Sequence, residues 1–427
     1  MKSFFAGLVS ILMILAICGN SNSETFEKIS ESGFGNDKNR YAWSMCEFTP
    51  SAGDSKGIKF LYVGTNSDSS KNGCEIHRMK PGTEDEMWEP VMTDGFGIKH
   101  NKGIRMMIVY ENQYGKALYA GVLNRKKGCH IYRTFDGLNW ELINFPNFGT
   151  RAHKSCASTR SAAVINGALY VGTVNDSRFS TENPYLFRFI EKRTMEIDGE
   201  IDIEASWEAV IKPSDEISSY GRMAFSSMLL YTDKNNIQHI CAFTWNALKG
   251  AHLLTSETGD SGTWKIVMDN GFKKHVTGVF NTVEHNGYLY AGTGDMDYGF
   301  NLFRSNDPAN PDSWEQIGED AFGTGKYNKY LWTLLKASDN TLYLGTCLFP
   351  AFAPSAKKGA FLYKSSDGLA WTQIVGDVSD TGPGFGDPEN FGIRVGIEVE
   401  NTIYFGTAIS PLFPFGSHGC EIWKLIK

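Results

Sequence analysis

Short apolar runs recur along the whole chain, most of them ending in tyrosine, a small or apolar residue, and glycine. They lie at residues 61–65 (LYVGT), 118–121 (LYAG), 169–173 (LYVGT), 289–293 (LYAGT), 342–346 (LYLGT) and 403–407 (IYFGT), with a divergent copy at 239–244 (HICAFT). Short apolar runs bounded by turn residues predict β-strands rather than helices. A repeat of roughly 50–60 residues that holds several such strands is typical of a propeller blade, so the pattern predicts seven blades.

Two further strand-like segments follow each copy. One begins at a glycine, as in GCEIHRM from Gly73, and the other begins at a tryptophan, as in WEPV from Trp88. The final repeat lacks the tryptophan-type strand, but FEKIS at residues 26–30 has its pattern and precedes a Gly-Phe-Gly turn. We therefore predict an all-β fold, a seven-bladed β-propeller of four-stranded antiparallel blades. Its ring is closed by the N-terminal strand, which completes the last blade and removes an open sheet edge.

The predicted blade limits follow from these segments. They are 40–92, 104–143, 159–211 with a charged insertion at 191–204, 221–268, 277–317, 330–374, and 393–425 together with the N-terminal strand. The tryptophans that begin the outer strands are expected to pack between blades.

Two turns carry a recognisable motif. Residues 134–140 (TFDGLNW) and 365–371 (SSDGLAW) each place a hydroxyl residue before Asp-Gly and a tryptophan after it. This pattern resembles the Asp-box of the sialidase-like repeat proteins, in degenerate form. The resemblance implies a propeller with this motif at the turn between the third and fourth strands of a blade. It implies no catalytic residue, because the Asp-box is a folding element.

Composition and the N-terminus indicate an exported protein. The chain has 427 residues and a net charge of −7, and it contains no basic block, so nucleic acid is not an expected partner. Residues 1–23 combine Lys2, an apolar run and small residues, as in a secretory signal peptide. We expect residues 24–427 to form a single secreted, monomeric propeller domain, and no later run is long enough to span a membrane.

The mature chain would hold an odd number of cysteines, so at least one thiol should be free. They are Cys46, Cys74, Cys129, Cys156, Cys241, Cys347 and Cys420. Three of them open equivalent strands of different blades. Buried thiols and one or two disulfides are both compatible with this pattern.

The starts of the predicted inner strands suggest a ligand site. Trp43, Arg105, Trp332 and Arg394 each follow an asparagine by four residues, and Arg160 and Arg222 take the same place when aligned from the following strand. Inner strands line the propeller axis, and several guanidinium groups at one mouth would bind a carboxylate, sulfate or phosphate. Alternatively, each arginine braces a neighbouring blade. The candidate ligand-binding residues are Arg105, Arg160, Arg222, Arg394, Trp43, Trp332, Asn39, Asn101, His153 and Asn390.

These features favour a secreted protein that binds an anionic small molecule or a glycan at the axial mouth. The alternative is an extracellular carbohydrate-active enzyme, a glycoside hydrolase or uronate lyase, whose acid and base would be Asp295 with Asp387, or His153 beside a tyrosine. A scaffold that uses the blade edges is a third possibility. No cofactor is expected, although Asp295 and Asp297 leave calcium open.

Overall fold

The computed structural model describes residues 24–83, 86–144, 155–175, 182–197, 200–269, 271–272, 276–349, 358–409 and 417–426. The predicted signal peptide, residues 1–23, and the candidate ligand residue His153 lie outside these ranges. Twenty-eight strands are present in the described part, joined by antiparallel pairing. The predicted seven-bladed β-propeller is confirmed.

The strands fall into consecutive groups of four. Blade one comprises β2 (Asn39–Phe48), β3 (Phe60–Ser67), β4 (Ile76–Met79) and β5 (Trp88–Met92). Blade two comprises β6 (Gly103–Asn112), β7 (Gly115–Leu123), β8 (His130–Thr134) and β9 (Glu141–Leu142). Blade three comprises β10 (Ser158–Ile165), β11 (Ala168–Val174), β12 (Leu186–Ile197) and β13 (Glu200–Ile211). Blade four comprises β14 (Ala224–Thr232), β15 (Gln238–Trp245), β16 (Leu253–Ser256) and β17 (Lys265–Met268).

The remaining blades follow the same order. Blade five comprises β18 (Gly278–His285), β19 (Tyr288–Gly294), β20 (Leu302–Ser305) and β21 (Glu315–Ile317). Blade six comprises β22 (Asn328–Lys336), β23 (Leu342–Leu348), β24 (Leu362–Ser365) and β25 (Thr372–Val375). Blade seven comprises β26 (Asn390–Val399), β27 (Thr402–Ile409), β28 (Ile422–Ile426) and the N-terminal β1 (Thr25–Lys28). Helical structure in the described residues is limited to α1 (Ser218–Gly221) and the 3-10 turns Ser32–Gly35, Pro311–Ser313, Asp320–Gly323 and Pro383–Gly386.

The two ends of the chain meet in blade seven, as the sequence predicts. Strand β1 pairs antiparallel with β28, with Thr25 opposite Ile426. Tyr41 in β2 also pairs with Ala408 in β27, which joins the last blade to the first. On the other side, Cys347 in β23 pairs with Gly392 in β26, so backbone pairing joins blade seven to both blade six and blade one.

Blade three departs from the predicted limits of its strands. Residues 191–204 were expected to be a charged insertion between the two outer strands. Instead, β12 and β13 remain paired through this segment, out to Ile197 opposite Glu200. The charged residues therefore belong to a long hairpin. The insertion lengthens the two outer strands instead of separating them.

Phenylalanines in the turns that follow the outer strands pack against the next blade. We call them the wedge phenylalanines: Phe34, Phe96, Phe272, Phe322 and Phe385. All five have a positive φ, between 48° and 61°. Each contacts the third strand of the following blade. Phe96 lies 3.7 Å from the ring of Tyr132, nearly parallel to it, and edge-on to Trp140. Phe385 stacks on Trp423 at 4.8 Å and meets Phe26 of β1 edge-on.

Three asparagines hold these turns in shape. The side-chain amide of Asn39 donates to the carbonyl of Gly33 at 3.0 Å, and Asn101 and Asn390 make the same bond to Gly95 and Gly384. All three asparagine side chains are buried. A buried side-chain amide bonded to a turn carbonyl fixes the turn geometry, because a lost bond would leave a desolvated polar group.

Small hydroxyl side chains form hydrogen bonds between adjacent inner strands. The hydroxyl of Ser44 donates to the carbonyl of Ile104 at 2.8 Å, that of Ser161 to Phe225 at 2.9 Å and that of Thr333 to Ile393 at 3.0 Å. The outer tryptophans also bridge blades, as predicted, since Trp88 Nε1 donates to the carbonyl of Ile29 in the neighbouring blade at 2.9 Å.

All seven cysteines of the described chain are unpaired thiols, and all but Cys46 are fully buried. The prediction of at least one free thiol is confirmed, and the alternative of one or two disulfides is not. No helix among the described residues is both long and apolar enough to cross a bilayer.

The wedge contact is expected to carry much of the stability of the ring. Phe385→Ala removes a buried ring that touches both Trp423 and Phe26, so we expect a loss of roughly 3–5 kcal/mol in the free energy of unfolding. The strain from the positive φ at residue 385 is the same in the wild type and in Phe385→Ala, because phenylalanine and alanine both have a Cβ. Urea unfolding measures the change, with the half-exposed Leu369→Ala as the matched control. Equal midpoints for the two variants would contradict the wedge role.

Candidate functional site

Each of the seven inner strands has a break in its pairing register at an equivalent residue, and β2, β22 and β26 have a second break nearer their starts. The shifts occur between Ala42 and Ser44, and at the corresponding place in each other blade. A bulge of this kind re-aims one side chain out of the alternating pattern. The seven residues at the breaks line one cavity of about 260 Å³ on the propeller axis. We call them the axial ring: Trp43, Arg105, Arg160, Ser226, Phe280, Trp332 and Arg394.

Five of the predicted ligand residues belong to the axial ring: Arg105, Arg160, Arg394, Trp43 and Trp332. Arg222 does not. It precedes β14, follows the short helix α1, and has a φ of 32°. Ser226 holds the equivalent position in blade four. The alignment misplaced Arg222 by four residues, because blade four has diverged from the repeat pattern and a short helix precedes its inner strand.

The three arginines of the axial ring lack protein partners that would neutralise them. The Nε atoms of Arg105 and Arg160 are buried without a hydrogen-bond partner. Among the described residues, no ion pair reaches Arg105, Arg160 or Arg394. The side chains face the cavity, so each keeps some exposure to it although protein surrounds it on the other sides.

Burial and like charge make these guanidinium groups costly. Burial, with a further contribution from Arg394, lowers the pKa of Arg105 to about 9, and burial lowers that of Arg394 to about 10. Burial and the charges of Arg105 and Arg394 lower the pKa of Arg160 as well. An arginine keeps its proton at neutral pH. The lowered pKa values therefore indicate that the three positive charges are destabilised in this cavity. A bound anion would stabilise these charges.

Aromatic rings surround the arginines. Arg105 lies over Trp43 with 5.0 Å from its guanidinium carbon to the ring centroid, Arg394 over Trp332 at 5.2 Å and Arg160 over Phe280 at 4.7 Å. A second cavity of about 240 Å³ shares these residues. We call it the aromatic chamber, and its lining is Tyr41, Trp43, Arg105, Arg160, Trp245, Phe280, Tyr330, Trp332, Phe349, Phe391 and Arg394.

Sequence reasoning missed the six aromatic residues of the chamber other than Trp43 and Trp332. Phe280 could have been found by following the strand-start alignment into blade five. Trp245 and Phe349 lie at or just beyond the ends of second strands, where the repeat pattern no longer specifies a residue type. Only the three-dimensional convergence of the blades brings them to the axis.

A wider space opens beside the chamber. It measures about 400 Å³, and its lining includes Arg125, Asn175, Met223, Met296 and Tyr330. Across the axial cavity, the aromatic chamber and this space, no described lining residue is an aspartate or glutamate. The electrostatic character of the axis is therefore positive.

The predicted asparagines serve the turns instead. Asn39, Asn101 and Asn390 bond turn carbonyls and do not line the axial cavity. Neither member of the suggested acid–base pair lines it. One carboxylate oxygen of Asp295 accepts from the backbone amides of Asp297 and Tyr298, and Asp387 lies beside His418.

A histidine–carboxylate cluster lies between blades six and seven. His418 Nε2 is 3.0 Å from Asp387 and 3.3 Å from Glu389, and Glu421 lies nearby. Glu421 already accepts from Asn390, Lys28 and Trp423. The neighbouring carboxylate of Asp387 raises the pKa of His418 to about 9. The protonated imidazole therefore forms an ion pair with Asp387 and Glu389.

The comparisons with known proteins concern the fold alone. No family model and no curated protein matches this sequence. A similar solved structure is the sialidase of Trypanosoma rangeli, at 13% identity and a TM-score of 0.40, with 85% of this chain and 58% of that chain covered. A Dyadobacter fermentans protein of unknown function has 13% identity and a TM-score of 0.41, with 94% and 98% covered. A putative 6-phosphogluconolactonase of Bacteroides fragilis has 11% identity and a TM-score of 0.47, with 83% and 95% covered.

This chain spans about 58% of the length of that sialidase. At these scores, the likenesses carry no argument about chemistry. The blade count rests on the strand pairing, and the site rests on the side chains at the axis.

The ion pair of His418 predicts a pH dependence of stability. A folded pKa of about 9 lies above the ordinary value near 6.5. The contribution of His418 is therefore fully present below about pH 6.5 and is lost as the pH rises through 9. We expect the difference in melting temperature between the wild type and His418→Gln to be largest near pH 6 and to shrink towards pH 9.5. A difference that stays constant over this range would show that His418 does not titrate in this way.

Proposed function

We propose that this protein is a secreted propeller that binds an anionic ligand in its axial cavity. The observation that carries the proposal is the set of three arginines, Arg105, Arg160 and Arg394, that face one cavity without a carboxylate in its described lining. Secretion rests on the signal-like residues 1–23, and we propose the chain from residue 24 onwards as one exported domain.

The alternative role for the arginines, bracing adjacent blades, is already filled by other groups. The hydroxyls of Ser44 and Thr333 bond the carbonyls of the next inner strands. Arg105 and Arg160 each leave a buried Nε without any partner. A brace would satisfy its hydrogen-bond donors, because an unpaired buried donor costs about 1–3 kcal/mol.

A carboxylate or sulfate would supply the missing partner. A guanidinium group offers two parallel N–H donors that match the two oxygens of such an anion. Three guanidinium groups at one cavity could divide the oxygens between them. Their mutual repulsion would then become attraction to the bound charge.

Binding is favoured over hydrolysis by the same geometry. A glycoside hydrolase needs two carboxyl groups that flank the scissile bond. The described lining of the three axial spaces has none. The candidates Asp295 and Asp387 make their hydrogen bonds elsewhere.

We further propose that the turns at Asp136 and Asp367 belong to the Asp-box class. In each, one carboxylate oxygen accepts the backbone amides two and three residues onward, and the hydroxyl of Thr134 or Ser365 accepts the glycine amide. Such turns would be folding elements, with no part in the axial cavity.

The double substitution Arg105→Lys with Arg394→Lys tests the proposed function. Lysine keeps the charge but loses the planar fork. A charge-assisted hydrogen bond contributes about 1.5–3 kcal/mol, so we expect affinity to fall by roughly tenfold or more. The probes are sulfate, glucuronate and 2-naphthoate, each titrated by calorimetry.

The matched control is Arg304→Lys. Arg304 also lies over an aromatic ring, that of Tyr288 at 4.2 Å, but it pairs with Glu315 outside the axial cavity. We expect this variant to bind like the wild type. If none of the three anions binds, or if the double variant binds them unaltered, the anion-binding function is wrong.

A further inference from the structure

We infer that the ligand is an aryl carboxylate, a planar aromatic body that carries one carboxylate, rather than a sugar acid. This inference rests on the proposed anion-binding function and specifies its ligand class. It follows from the composition of the aromatic chamber, from the position of its arginines beside aromatic rings and from its balance of hydrogen-bond donors and acceptors.

The chamber presents ring faces at close quarters. Tyr330 and Trp332 are nearly parallel, with their planes 15° apart and their centroids at 6.1 Å. Phe391 meets Trp332 edge-on at 5.6 Å, and Phe280 meets Tyr330 edge-on at 5.1 Å. Aromatic side chains favour offset and edge-to-face contacts with another ring. A flat aromatic ligand would find both kinds of surface here.

Each arginine lies beside an aromatic ring of the same chamber. The guanidinium carbons of Arg105, Arg160 and Arg394 are 4.7 to 5.2 Å from the centroids of Trp43, Phe280 and Trp332. A guanidinium group carries several N–H donors for a carboxylate. A carboxylate head could therefore bind the arginines while the body of the same ligand lies against the neighbouring aromatic rings.

The chamber is rich in donors and poor in acceptors. Its side chains are guanidinium groups, indoles, phenyl rings and two phenols, and no carboxylate, carboxamide or aliphatic hydroxyl is among its described lining. Guanidinium and indole groups only donate. The phenol of Tyr330 lies 3.1 Å from the sulfur of Met296 and donates to it.

A sugar acid fits this balance poorly. Each of its hydroxyl groups brings a donor that would need an acceptor once buried, and an unmet donor costs about 1–3 kcal/mol. An aryl carboxylate brings acceptor oxygens and no hydroxyl donors. Loss of water from its apolar ring also contributes to binding.

The volume limits the size of the body. The chamber measures about 240 Å³, below the roughly 300–1,000 Å³ of pockets for drug-sized ligands. We therefore expect one or two fused rings.

Calorimetric titration of the full mature chain with three related compounds tests the inference. We expect 2-naphthoate to bind at least tenfold more tightly than glucuronate, and its neutral analogue 2-naphthamide to bind at least tenfold more weakly than 2-naphthoate. The first comparison isolates the aromatic body, and the second isolates the charge.

A variant supplies an independent check. Trp332→Leu removes a chamber wall, so we expect the preference for 2-naphthoate over glucuronate to fall by fivefold or more. The control is Tyr288→Leu, which removes the ring beneath Arg304 outside the chamber. If Trp332→Leu does not fold, the wild-type comparison of the three compounds still decides the question.

The outcomes separate the two proposals. Glucuronate binding as tightly as 2-naphthoate would overturn the aryl carboxylate inference and leave the anion-binding function standing. Equal binding of 2-naphthamide and 2-naphthoate would overturn both, since charge would then be irrelevant. Absence of binding by all three compounds would overturn the aryl carboxylate inference, and the anion-binding function would fall with it only if sulfate also did not bind.

Discussion

The wedge phenylalanines fix the angle between neighbouring blades, and the rest of the structure depends on that angle. Each occupies a backbone conformation that a non-glycine residue seldom adopts, with φ near +60°. Such strain of roughly 1–3 kcal/mol persists only where surroundings determine it. Here the surroundings are an aromatic ring of the next blade and, in three of the described turns, a buried asparagine that bonds the turn carbonyl.

The fixed angle brings seven inner strands to one axis, where each contributes a bulged residue. Three of these residues are arginines that repel one another and have no neutralising acid in the described lining. Removing a charge from water without a partner is destabilising. A rigid ring of blades tolerates this cost, and the result is a preorganised site for an anion. In this account, the contacts between blades stabilise the fold, and the unpaired arginines at the axis destabilise it.

The sequence predicted what is periodic in the structure. The repeated apolar runs predicted seven blades, and FEKIS at 26–30 predicted the closing strand, because both depend on local pattern. Arg222 was misplaced because blade four has diverged and contains a short helix before its inner strand. Trp245, Tyr330, Phe349 and Phe391 could not be assigned to the site. Their convergence depends on how blades far apart in sequence are arranged around the axis.

The most direct test of the central claim is a crystal structure of the protein grown with 4-bromobenzoate, using the anomalous signal of bromine. The account predicts one bromine position inside the aromatic chamber, with the carboxylate within hydrogen-bond distance of at least two of Arg105, Arg160 and Arg394. A chamber without bromine, together with guanidinium groups bonded to protein carbonyls, would contradict it.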